Sequence, residues 1–172
     1  MRTNRGTRGF SVAASLHDQR DGGGAEAGGA ADEHDAAAGA DAAGVVRRAT
    51  DILNDRGRPL KGAKVLVLGV AYKRDVSDAR ESPAIEVIKL LRGKGAVVEY
   101  ADPHVPVFTV NDEELRAVEP TPKRLAACDL AIIITDHRAF DYAAIIEHAP
   151  AIFDTRNATK NLDDPDNKVT KL

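Results

Sequence analysis

The sequence holds one cysteine, Cys128, in 172 residues. A single thiol excludes an intrachain disulfide framework and suits a reducing compartment, so a cytoplasmic setting is expected. Long apolar runs are also missing. None approaches the roughly 20 residues that a helix needs to cross a bilayer. Arginines among residues 1–10 are not followed by the apolar core of a secretory signal. Net charge is small: 24 Lys and Arg stand against 27 Asp and Glu, a balance of -3. Bulk electrostatics therefore give no case for nucleic-acid binding. The five histidines show no metal-ligand spacing with cysteine or aspartate, so no metal is expected.

What is there divides unevenly. Hydrophobic residues make up 43% of the chain, but many are alanines in the N-terminal stretch. Residues 1–44 are built from Ala, Gly, Asp and Glu, with little large to bury, and are expected to be a disordered low-complexity segment or tether. Residues 45–60 read as a connecting helix and linker. Val45, Val46, Ala49, Ile52 and Leu53 share one side, and Gly57 and Pro59 end the helix. With no domain ahead of it, part of that apolar stripe is expected to stay exposed.

Residues 61–172 carry the domain. Val65, Leu66, Val67 and Leu68 form a continuous apolar run, the mark of a strand buried on both faces. Ser82 and Pro83 open a helix as N-cap and first residue, and Gly95 stops it. Residues 97–100 make a second strand, closed by Asp102-Pro103. Residues 105–118 look irregular or weakly stranded. Thr121-Pro122 starts a short helix, residues 130–134 make a strand, Asp141 caps another helix, and 151–153 and 168–172 are short strands. Strands alternating with helices imply an α/β fold, a Rossmann-like doubly wound parallel sheet. Ligands in such sheets sit beyond the carboxyl ends of the strands. Tyr72 and Lys73, Thr135 and Asp136, and Asp154 and Arg156 all lie just past strand ends.

The first strand runs into Gly69-Val70-Ala71-Tyr72-Lys73-Arg74. The second and third glycines of a dinucleotide fingerprint are missing, which argues against a standard NAD site here. Lys73 and Arg74 instead offer cations beside a helix N-terminus, a setting that suits phosphate. The other reading is a solvated loop in which Lys73, Asp75, Asp78, Arg80 and Glu81 form surface ion pairs.

The run GVAYKRDVSDARESPA, followed by ADPHVP, TDHRAFDY and FDTRNA, resembles the C-terminal domain of the UDP-glucose/GDP-mannose dehydrogenase family, nearest its UDP-N-acetylglucosamine 6-dehydrogenase branch. The resemblance begins near Val45. It implies a Rossmann-like domain that binds the UDP part of a sugar nucleotide. It further implies that Tyr72 and Lys73 contact the UDP-sugar, that Arg156 helps hold the nucleotide, and that Arg80 reaches an NAD site at a domain interface. The family enzymes are homo-oligomers that use NAD to oxidise a C6 alcohol to a carboxylate. They do so through a catalytic cysteine in a motif absent from this sequence. The chain by itself is therefore expected to bind UDP-sugar without catalysing, either as part of such an enzyme or beside a separately encoded NAD-binding half. The alternatives are a stand-alone UDP-sugar-binding or interaction module and a truncated remnant.

Other residues have plainer readings. Cys128, at a helix end before a buried strand, is expected to be a core thiol. Asp136 and His137 suit capping and loop hydrogen bonds before the next helix better than acid–base work. Asp102 stands where a Rossmann acid would hold a ribose, but Asp-Pro favours a turn. Arg156 beside Asp154 offers an ion pair as the alternative to a nucleotide contact.

Overall fold

A computed structural model describes residues 41–172. The expected disorder of residues 1–40 lies outside the described residues. In order, the elements are α1 (Ala42–Asp55), β1 (Lys64–Leu68), α2 (Pro83–Gly93), β2 (Val97–Ala101), β3 (Val107–Val110), β4 (Glu113–Arg116), α3 (Pro122–Ala127), β5 (Leu130–Ile133), α4 (Tyr142–His148), β6 (Ile152–Asp154) and β7 (Val169–Lys171).

Helix α1 starts earlier than the composition suggests. Asp41 is its N-cap and accepts the Gly44 N–H at 2.7 Å, so residues 42–44 are helical despite their alanine and glycine content. Its apolar stripe is not left exposed: Val45, Val46, Ala49, Ile52 and Leu53 are all buried, packed with α2 over one face of the sheet. Helix α2 is built as its sequence directs. Ser82 accepts the Ala84 N–H, Pro83 needs no amide partner at the first position, and Glu86 lies in the first turn, favoured by the helix dipole.

Five strands form one sheet in the order β2-β1-β5-β6-β7, and every neighbouring pair is parallel. Successive side chains on a strand point to opposite faces. Thus Val65 and Val67 of β1 join the core under α1 and α2, while Leu66 and Leu68 join Leu125, Ile145 and Ile146 under α3 and α4. Each such side chain contributes about 1.5–3 kcal/mol by leaving water. The expected doubly wound α/β sheet is therefore the fold. From β1 the chain goes out to the β2 edge, then returns to β5 on the other side of β1. The strand order reverses between β1 and β5, and the loops leaving those two strands flank the switch point.

Residues 105–118 are more ordered than expected. β3 and β4 pair antiparallel across Asn111-Asp112, both with positive φ (49° and 62°), as a two-residue hairpin turn of type I′ requires. Tyr100 packs edge-on against Phe108 with ring centroids 4.6 Å apart, fixing the hairpin to the core.

Candidate functional site

The site begins at Gly69, with φ +80°, whose N–H bonds to the Ala101 carbonyl at 2.8 Å. A Cβ there would sit 2.2 Å from the Thr135 carbonyl oxygen, so only glycine lets the β1 and β5 exits approach this closely. The same two exits are joined by the Thr135 hydroxyl, which donates to the Ala71 carbonyl at 2.7 Å.

The next two amides are already satisfied. Val70 N–H and Ala71 N–H donate to Oδ2 of Asp102 at 2.7 and 3.0 Å. Oδ1 of Asp102 accepts from the His104 and Val105 amides at 2.8 and 3.0 Å, which is the turn its Asp-Pro sequence predicts. The imidazole of His137, completely buried, lies with Nε2 2.9 Å from Oδ2 of Asp102. Its Nδ1 accepts the Asp75 N–H at 2.9 Å, so the ring carries its proton on Nε2 and donates it to Asp102. Burial pushes the Asp102 carboxyl up, but the bonds from His137 and from the Val70 and His104 amides outweigh it and hold the group below the ordinary carboxylate range.

This arrangement bears on how the β1 exit can meet a ligand. In a dinucleotide cradle the amides at the β1 exit face a pyrophosphate. Here they face a protein carboxylate, and the residues do not fit NAD at that position. The spacing argument also overlooked one grouping. Asp75, His104 and His137 come together from three loops, with one potential ligand atom each within 4.8 Å of one another. Both His137 nitrogens are engaged within the protein, and the Asp75 carboxylate accepts the Arg138 amide at 2.9 Å, while Nε2 of His104 is buried without a hydrogen-bond partner, 3.7 Å from Oδ1 of Asp75.

The cations lie further along the loop. Tyr72 is half exposed, at 51%, and Lys73 is exposed with its Nζ 5.5 Å from the Tyr72 ring centroid. Among the described residues no carboxylate pairs with Lys73. Arg74 turns inward instead, and its guanidinium bonds Oδ2 of Asp136, at the β5 exit. Arg156, at the β6 exit, has Nε 4.0 Å from Oδ1 of the same carboxylate. Asp136 thus gathers guanidinium groups from two other loops, a role beyond the local capping expected of it. Capping of α4 falls to Asp141, which accepts the Ala144 N–H at 3.0 Å. Beside Arg156, Asp154 is buried and accepts the Arg156, Ala158 and Thr159 amides, so it shapes the β6 exit turn. Arg80 lies at the far end of the β1–α2 loop, exposed and held by Asp78 at 2.8 Å. That pair draws the Asp78 carboxyl down to about 2.

Cys128 is buried, its thiol donates to the Leu125 carbonyl at 3.2 Å, and burial raises its pKa to about 11. It is a core thiol. It borders a concavity of about 440 Å³ at the opposite, amino-terminal edge of the sheet, away from the strand-end cluster. No helix among the described residues is long and apolar enough to cross a membrane.

The sequence matches known proteins over this same region. A UDP-glucose 6-dehydrogenase from Rickettsia bellii is 37% identical over 109 residues, which is 59% of this chain and 25% of that one. A UDP-N-acetyl-D-mannosamine dehydrogenase from Methanococcus maripaludis is 33% identical over 102 residues, 55% of this chain and 22% of that one. The native structure of the UDP-N-acetyl-mannosamine dehydrogenase from Staphylococcus aureus superposes with a TM-score of 0.54 at 29% identity, over 76% of this chain and 29% of that one. The chain thus spans about a quarter of the length of these relatives. The profile described as UDP-glucose/GDP-mannose dehydrogenase family, UDP binding domain, matches residues 66–161, from β1 through the turn after β6. With more than half of the sequence inside that match, the chain belongs to the UDP-glucose/GDP-mannose dehydrogenase family and carries its UDP binding domain.

Proposed function

We propose that the carboxyl edge of the sheet binds the UDP moiety of a UDP-sugar, with Tyr72, Lys73 and Arg156 as its contacts. The observation that carries this reading is the convergence of three strand exits on one buried carboxylate, Asp136, with an exposed lysine one residue before Arg74 that no carboxylate among the described residues neutralises. Surface cations usually find a partner or lie dispersed in solvent. Lys73, Arg74 and Arg156, on loops that leave the carboxyl ends of the strands, suit an anion with several oxygens. The tyrosine ring adds a flat surface for a base or sugar.

Family membership supports a reading of the wider activity. We propose that the domain serves an NAD-dependent oxidation of a UDP-sugar C6 alcohol to a carboxylate, in a homo-oligomeric enzyme of polysaccharide biosynthesis that works in the cytoplasm. The NAD is held chiefly outside this domain, and Arg80 reaches it from the exposed end of the β1–α2 loop. A separately encoded NAD-binding half is one way to complete that enzyme. UDP-N-acetylglucosamine is the sugar nucleotide proposed from the motif pattern. The relatives are named for UDP-glucose and UDP-N-acetylmannosamine, which share the nucleotide and differ in the hexose. The domain is read as a grip on the shared part.

Isothermal titration of the chain with UDP, UDP-N-acetylglucosamine and NAD tests this. UDP is expected to bind and NAD is not. Lys73→Ala is expected to weaken UDP by about 1.5–3 kcal/mol, the worth of a charge-assisted phosphate bond. Unchanged affinity removes Lys73 from the site, and absence of UDP binding at millimolar concentration ends the proposal.

A further inference from the structure

The loop that carries Tyr72 and Lys73 has no core of its own. Residues 72–78 are exposed or half-buried, so apolar burial does not hold them in place. Polar bonds take that role. At the base of the loop the Tyr72 N–H donates to the Asp78 carbonyl at 2.7 Å, closing the loop on itself. At its middle the Asp75 N–H donates to Nδ1 of His137 at 2.9 Å, and Oδ1 of Asp75 accepts the Arg138 N–H at 2.9 Å. Lys73 lies between these two ties. Asp75 has φ +58°, in the left-handed region, which an L residue occupies at a cost that its two bonds to the β5 exit offset.

His137 forms the fixed end of this tie. Its side chain is completely buried, and its ring packs against those of His104 and Phe140 with centroids 4.8 and 5.7 Å away. Because Nδ1 accepts from Asp75, the ring proton stands on Nε2 and goes to Asp102. That carboxylate is itself held by amides of the β1 and β2 exits. Backbone, carboxylate, imidazole and loop amide thus form one chain of bonds that runs through buried side chains. We infer that His137 is a positioning residue for the nucleotide site, pinning the loop at Asp75 so that Tyr72 and Lys73 stand in place before a ligand arrives. This rests on the UDP reading above and adds the residue that holds its loop. A loop ordered in advance spares the ligand the entropy of ordering it. His137 touches no ligand atom in this scheme and acts through Asp75 and Lys73.

The test uses the full chain, with UDP as the probe in calorimetric titrations and thermal unfolding as the check on folding. His137→Phe keeps a ring and removes both nitrogens, and should weaken UDP by about tenfold because the loop must then be ordered on binding. His137→Gln, whose amide oxygen accepts from Asp75 while its NH2 donates to Asp102, should retain most of the affinity. In a Lys73→Ala background the His137→Phe loss should shrink, because the two residues act in series. UDP affinity unaltered in His137→Phe, an equal loss in His137→Gln, or a loss of the same size without Lys73 overturns the inference and leaves the UDP reading intact. A wild-type chain that does not bind UDP removes both. Should His137→Phe not fold, amide hydrogen exchange of the wild-type chain decides. Without UDP, the Asp75 amide should exchange about tenfold or more slower than those of Val76 and Ser77, its neighbours in the same exposed loop. An Asp75 amide as fast as theirs, or one slowed only once UDP is added, overturns the inference.

Discussion

Asp102 and Asp136 are both buried aspartates at strand exits of one sheet, yet their surroundings differ in kind. Asp102, after β2, receives four backbone amides and an imidazole, and its two oxygens are fully used by the protein. Asp136, after β5, receives a guanidinium on one oxygen and leaves the other without a hydrogen bond, 4.0 Å from Nε of Arg156. The donors differ as well: amides are fixed in the backbone, whereas arginine side chains can move. The first carboxylate closes a structure and the second leaves one adjustable. On the proposed reading, the first exit is scaffold and the second faces the ligand.

The comparison breaks most visibly at Asp102. Asp102→Ala strips the acceptor from four amides and leaves the His137 proton unpaired in the core. A loss of about 3–5 kcal/mol is expected in urea unfolding. A loss similar to that of an exposed aspartate would show that the amides find other acceptors. Gly69→Ala comes next, at about 1–3 kcal/mol, because the added methyl group meets the Thr135 carbonyl and the positive φ disfavours any side chain. Acid sharpens the same contrast. Asp102 has a depressed carboxyl pKa in the fold, so its stabilisation is complete above the unfolded value of about 3.9 and is lost as pH falls through the lower folded value. Urea midpoints measured between about pH 7 and pH 3 should show an acid limb that Asp102→Asn flattens. Cys128→Ala is the smallest change. About 1 kcal/mol of stability and no change in UDP affinity are expected, because the thiol only fills core space at the other edge of the sheet.

How legible this was in the sequence depended on the range of the interaction. β1, β5 and the cap of α2 are written in neighbouring residues: an unbroken apolar run, or Ser82-Pro83. The hairpin of β3 and β4 was missed, because Asn111-Asp112 is a weaker turn signal than Asn-Gly and the strands are short. Asp102 read correctly as a turn former, since that bond reaches only two or three residues ahead. Its grip on Val70, Ala71 and His137 spans about thirty residues and leaves no local trace. The same holds for Asp136, whose partners come from loops 62 residues before it and 20 after it. Lys73 and Arg74 looked alike as adjacent cations. Only the fold separates them, by turning one out to solvent and the other onto a buried carboxylate.

Asp102 has one more effect on what this sheet can accept. It works as a tethered competitor, an anion the polypeptide keeps permanently at the spot where a free dinucleotide would bring its own. An intramolecular occupant enjoys an effective concentration, often millimolar or higher, that a dissolved cofactor must exceed to displace it. Any dissolved anion that is to reach the Val70 and Ala71 amides must first displace this carboxylate.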